Sequence, residues 1–129
     1  MEVGKNVRIG LLTATLALAA CAGENHNEQL ADRVTMAIVA NDMRPVEPDF
    51  NALARPGLEN RAKVGRLSDD LNALGKFKRT HETTPKDAPP LRHTFDADFE
   101  KGAWVEDLTF DTDGKIASFH VHPPAAITQ

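Results

Sequence analysis

Glu106, His93 and the pair His120-x-His122 carry the side chains from which acid/base or metal chemistry could be built in this chain. Side chains alternate between the two faces of a strand, so His120 and His122 share a side. Asp107 or Asp96 would add an oxygen ligand there, giving a shallow, open metal site of two imidazoles and one carboxylate. Glu106 falls among apolar positions, and desolvation pushes a carboxyl in such a place towards its neutral form, as an acid/base group requires. His93 is its candidate partner. The plainer alternatives are that Glu106 reaches a helix cation such as Arg66 or faces solvent, and that the histidine face is solvated sheet. No Gly-rich phosphate loop and no Gly-x-Ser-x-Gly elbow occurs. Asp111-Thr112-Asp113-Gly114 opens like a calcium loop but lacks the later acidic ligand, and it reads as a turn.

These residues need a scaffold, and composition bounds it. The chain has 129 residues with 15 Lys+Arg against 19 Asp+Glu, a formal charge of −4 that argues against a nucleic-acid partner. Eight Gly, eight Pro and 41% hydrophobic residues are ordinary for one globular domain. A single Cys permits neither an internal disulfide nor a thiolate cluster.

Apolar spacing sets the elements. From Asn27 a helical stripe runs through Leu30, Val34, Ala37, Ile38 and Asn41, and Arg44-Pro45 ends it. Asp49 is placed to cap a short helix carrying Phe50 and Leu53, and Arg55-Pro56-Gly57 breaks the chain. A second long helix is expected from Leu58 to Leu74 on Val64, Leu67, Leu71 and Leu74, with Gly75 as its C-terminal cap. The period then changes to two. Lys76 to Thr83 suits an edge strand, 85–90 is a Pro-bounded linker, and Leu91 to Phe99, Ala103 to Phe110 and Lys115 to His122 form a meander. Helices followed by such a meander imply an α+β fold, N-terminal helices packed on a curved antiparallel sheet of three to four strands.

Two-residue turns at Lys101-Gly102 and Asp113-Gly114 would set Phe99 opposite Trp104, Phe95 opposite Leu108, and Leu108 opposite Phe119. One face then carries Phe95, Ala97, Phe99, Trp104, Leu108, Phe110, Ala117, Phe119 and Val121, interrupted by Glu106 and, at its end, by His93. Trp104, Glu106, Leu108, Phe119 and Phe95 would line a ligand pocket under the helices. The reverse face collects Thr94, Asp96, Asp98, Asp107, Thr109, Ser118, His120 and His122. His93 and His81 are expected towards the Asp113-Gly114 end, too far from His120 and His122 for a four-histidine centre.

At the start of the chain, Lys5 and Arg8 precede an uncharged run from Ile9 to Ala20, too short to span a bilayer, which then meets Leu18-Ala19-Ala20-Cys21. LALAAC resembles the lipobox of bacterial lipoproteins. The resemblance implies a diacylglyceryl group on the Cys21 sulfur, cleavage before Cys21 and acylation of the new amino group. Ala22, where an Asp would favour inner-membrane retention, implies an outer-membrane anchor facing the periplasm. The division expected is a leader at 1–20, a lipidated leash at 21–27, a domain at 28–124 and a tail at 125–129.

The stretch FDADFEKGAWVEDLTFDTDGKIASFHVHPP is similar to the C-terminal strands of the nuclear transport factor 2-like and cystatin-like α+β group. That group holds isomerase-type enzymes, dehydratases and many noncatalytic binding or dimerising domains, so the fold does not choose among them. Its isomerases use acids inside the cone and a Tyr at the oxyanion. Here Glu106 is the one acid expected inside, and the chain has no Tyr. The sequence therefore points to a lipid-anchored, noncatalytic small-ligand-binding or interaction module without a cofactor, taking a small apolar ligand or a second copy of itself. The alternative is a small acid/base enzyme of isomerase or dehydratase type using Glu106 with His93.

Overall fold

A computed structural model of the chain describes residues 25–125. Helix α1 spans His26–Val39 and starts at a capping box: the Asn25 side chain accepts from the Glu28 N–H at 2.7 Å, and Glu28 Oε1 accepts from the Asn25 N–H at 3.0 Å. Its buried stripe is Leu30, Ala31, Val34, Thr35, Ala37 and Ile38. Asn41, expected on that stripe, instead is exposed at φ 54, just beyond the helix end, where an Asn tolerates a left-handed backbone.

The next segment differs from the sequence reading. A 3-10 helix spans Arg44–Asp49, so Asp49 ends an element rather than capping one. Phe50 is buried and bridges in parallel to Ile116, while Leu53 is 89% exposed at the tip of a turn. The expected long second helix is two: α2 spans Arg55–Leu58 and α3 spans Arg61–Asn72. Pro56 starts α2 rather than breaking it, because the first turn needs no N–H from that position. Asn60 restarts the helix by accepting from the Lys63 N–H at 3.2 Å.

Strands β1 (Phe77–Glu82), β2 (Arg92–Phe99), β3 (Gly102–Phe110) and β4 (Ile116–His122) form one antiparallel sheet in the order β1-β2-β3-β4, with the helices on one face. The expected facing holds and the expected pairing shifts. The first turn is Glu100-Lys101, so Trp104 pairs with Ala97 and Glu106 with Phe95, two residues from the expected register and of the same parity. Leu108 does face Phe119, but an irregularity near Ala117 brings Ile116 into the core in Ala117's place. His81 is not at the Asp113-Gly114 end: it pairs with Asp96, in one row with Val105 and His122.

Edge strand β1 is sealed by α1. Asp32 Oδ1 accepts from both the backbone N–H and the hydroxyl of Thr80, each at 2.7 Å, and Glu28 Oε2 accepts from the Glu82 N–H at 2.7 Å. Glu28 and Asp32 are one helical turn apart and Thr80 and Glu82 one strand repeat apart, so two periodicities meet on the sheet edge.

Gly75 sits at φ 84 where the chain leaves α3. A Cβ there would lie 2.9 Å from Glu100 Oε1, the atom that accepts from the Lys76 N–H. Gly75→Ala is expected to cost about 2 kcal/mol, through the left-handed backbone and the crowding together, in a urea titration. An unchanged midpoint would remove the reason given for this glycine.

Candidate functional site

Glu106 occupies the middle of β3 on the helix-facing side, and none of its surface is exposed. α1 lays Thr35 over it, with the hydroxyl 2.6 Å from Glu106 Oε2 and 2.9 Å from the Ala31 carbonyl oxygen. A hydroxyl has one proton to give. If Thr35 donates to the Ala31 carbonyl, which can only accept, the proton between Thr35 and Glu106 belongs to the carboxyl. Burial pushes the Glu106 pKa up to about 8; the Thr35 contact opposes this, and the negative charges of Asp32 and Asp107 add to it. Glu106 is therefore a neutral carboxylic acid at pH 7. Its second oxygen, Oε1, is buried without a hydrogen-bond partner.

Neither Arg66 nor His93 reaches it as a hydrogen-bond or ion-pair partner. His93 lies on the same face with its ring edge-to-face against Phe110 at 5.4 Å, and its Nδ1 is 2.6 Å from Glu82 Oε2 and 3.5 Å from the Asn27 amide nitrogen. Burial would raise Glu82, but the hydrogen bonds from Thr84 and His93 outweigh it and hold that carboxylate below its ordinary range. The two candidate catalytic residues are thus held by separate partners.

The expected pocket residues are mostly core. Phe95, Leu108 and Glu106 have no exposed surface, Phe119 keeps 7%, and Trp104 packs half-buried against the same cluster. Open space lies elsewhere. A cleft of about 210 Å³ runs between α3 and edge strand β4, with Lys63, Arg66, Leu67 and Asp70 on one wall and Phe119, His120 and Val121 on the other. The Lys63 ammonium stands 5.8 Å from the centroid of the Phe119 ring, a cation over an aromatic floor. A wider groove of about 690 Å³ has Met43, Leu58 and Val64 beneath it and charges of both signs around it. Two of those charges, Asp42 and Arg44, already satisfy each other at 2.8 Å, which lowers the Asp42 pKa to about 2.

On the reverse face, Asp107 accepts from the Thr94 hydroxyl at 2.7 Å and lies 3.1 Å from His122 Nε2 and 3.6 Å from Arg92. His122 Nδ1 lies 2.8 Å from the Pro123 carbonyl oxygen. Both ring nitrogens face acceptors, the Pro123 carbonyl and then Asp107, and the His122 pKa rises accordingly. Those two contacts already occupy both ring nitrogens. His120 is exposed although it pairs with Asp107 across the strands, and among the described residues no three His, Cys, Asp or Glu side chains are placed to hold a metal ion together. His81 stands between Asp96 and Asp98, at 3.7 and 3.2 Å.

Thr35 was the residue the sequence concealed. Its signal was there, since Ala31, Val34, Thr35 and Ile38 fall at i, i+3, i+4 and i+7 and put one hydroxyl on a buried stripe. The Lys63 and Arg66 wall of the cleft carried no comparable signal. Cys21 and the leader lie outside the described residues, and among those described no helix is long and apolar enough to cross a membrane. The chain matches no protein-family model, no curated protein and no solved structure.

Proposed function

We propose that this chain is a lipid-anchored, periplasm-facing module of the nuclear transport factor 2-like and cystatin-like kind that binds rather than catalyses. The anchor is a diacylglyceryl group on Cys21, held in the outer membrane. The observation that carries the noncatalytic reading is the sealing of Glu106: the acid on which proton transfer would depend has no exposed surface and is occupied by Thr35. The cleft between α3 and β4 is the binding site in this reading. Its apolar floor and the cations Lys63 and Arg66 suit a small apolar molecule with an anionic end.

Native mass spectrometry of the mature chain purified from its own host tests this. A retained small molecule, its occupancy reduced roughly tenfold by Lys63→Glu or Val121→Asn, is the expected result. A clean apo mass, or retention indifferent to both variants, would contradict it. One observation favours the second reading, an acid/base enzyme of isomerase or dehydratase type: Glu106 is neutral and its Oε1 is free. That reading requires α1 to lift from the sheet, and it requires Glu106→Gln to abolish turnover while the cleft variants leave it intact.

A further inference from the structure

We infer that the end of the domain from which the N-terminal chain departs is a bilayer-docking surface, apolar in its contact, with Leu53 and Leu91 as the inserting residues. The inference rests on the lipid anchor at Cys21.

Three lines of geometry bring this end together. The described chain starts at Asn25, whose side-chain amide donates to Glu82 Oε1 at 3.2 Å, and Asn27 sits beside His93, so the N-terminus departs where β1 ends and β2 begins. Leu91 is two residues before His93, and its carbonyl accepts from the Phe110 N–H at 2.9 Å. Asp111, the next residue, accepts from the Asn51 side chain at 3.1 Å, and Asn51 in turn accepts from the N–H groups of Ala54 and Arg55, closing the turn that exposes Leu53. Among the described residues, large hydrophobic side chains are exposed at Met36, Leu53 and Leu91, and two of these three flank this one corner, Leu53 at 89% and Leu91 at 43%. Met36 is ten residues further along α1, about 15 Å from its start.

Cys21 is four residues from Asn25, which is at most about 14 Å of extended chain. Acyl chains on Cys21 would hold this corner within reach of the headgroups, where a weak second contact becomes intramolecular and is populated without being strong by itself. Net charge of the chain is −4, so an anionic bilayer does not attract it as a whole. The contact has to be apolar, and two exposed leucines on turns anchored to Phe110 and Asp111 meet that need.

The test uses the full chain, made with its own leader in a bacterial host and reconstituted in vesicles of phosphatidylethanolamine and phosphatidylglycerol. Leu53→Cys, Leu91→Cys and Met36→Cys are each labelled with a nitroxide, and collisions with oxygen are compared with collisions with a water-soluble nickel chelate. A thioether at Cys21 takes no label, so one label per chain reports the anchor. The expected result is one label and an oxygen-to-nickel ratio at 53 and 91 roughly threefold above that at 36. One label with equal ratios at all three positions overturns the docking and leaves the anchor standing. Two labels per chain show a free Cys21 and overturn both.

Discussion

Glu106→Leu is expected to make this protein about 3 kcal/mol more stable at pH 7, an unusual sign for a change at a residue with no exposed surface. The Glu106 carboxyl ionises at about 8 in the folded chain against an ordinary 4.5. Between those values the unfolded chain has released a proton that the folded chain still holds, so the folded state binds more protons and stability falls as pH rises. Each pH unit in the window is worth about 1.4 kcal/mol, and pH 7 lies roughly 2.5 units inside it. Leucine removes the group that causes the loss, and the Thr35 hydroxyl keeps its 2.9 Å bond to the Ala31 carbonyl.

Below pH 4.5 the parent carboxyl is protonated both folded and unfolded, and the advantage of the leucine variant shrinks towards zero. Glu82, Asp107 and Asp111 act in the opposite direction: their pKa values are lowered, so their stabilisation is present above the ordinary carboxylate range and lost as pH falls through the folded values. The parent therefore peaks on the acid side of neutrality, and the variant extends that plateau past pH 8. Urea titrations at pH 5, 7 and 8.5 check this. A variant less stable than the parent at pH 7, or a parent flat from pH 5 to 8, would contradict it.

The second large effect is at the sheet edge. Replacing Glu28 and Asp32 together by Ala is expected to cost about 4 kcal/mol. Three short bonds to carboxylates are lost, two from Thr80 and one from the Glu82 N–H, and the capping box at Asn25 opens with them. Unlike a core truncation, the change also uncovers N–H groups on an edge strand, so the folded fraction should self-associate through β1. Sedimentation velocity measures that association beside the urea midpoint. Glu28→Gln with Asp32→Asn keeps the acceptors and should recover about half the stability and the monomer. A double-alanine chain that loses under 1 kcal/mol and stays monomeric would show that α1 does not guard this edge.

What the sequence made legible was the part governed by period. The stripe from Leu30 to Ile38 and the alternation from Phe95 to Phe99 and from Leu108 to Phe110 each have one solution that buries rings and branched chains together, and the structure adopts it. Turn chemistry was harder to read. A break placed at Arg55-Pro56-Gly57 belonged at Asn60, because Pro at the head of a helix and Pro at its end look alike until the cap is found. The register of β2 against β3 slipped by two because Glu100-Lys101 and Lys101-Gly102 both make plausible turns of the same parity. Ala117 lost its inward place to Ile116 because an irregularity leaves no mark in hydrophobic alternation.

The site was half legible for a related reason. Glu106 stood out as the acid on an apolar face, but its meaning depends on what lies above it, and pairing of a helix residue with a strand residue 71 positions away has no sequence period. A pocket beneath the helices and a core beneath the helices share the same list of residues. The side chains of α1 decide between them, and Thr35 lands on the carboxyl that a ligand would have met.

The protonation state of Glu106 decides whether the space beneath α1 is sealed. With the glutamate side-chain carboxyls labelled with carbon-13 and the resonance of Glu106 assigned by its loss in Glu106→Gln, a nuclear magnetic resonance titration from pH 4 to 10 follows that one group. A sealed Glu106 should show a carboxyl carbon still protonated at pH 7 and titrating near 8. A midpoint near the ordinary 4.5 would mean that water reaches the carboxylate, and that the space beneath α1 is open after all.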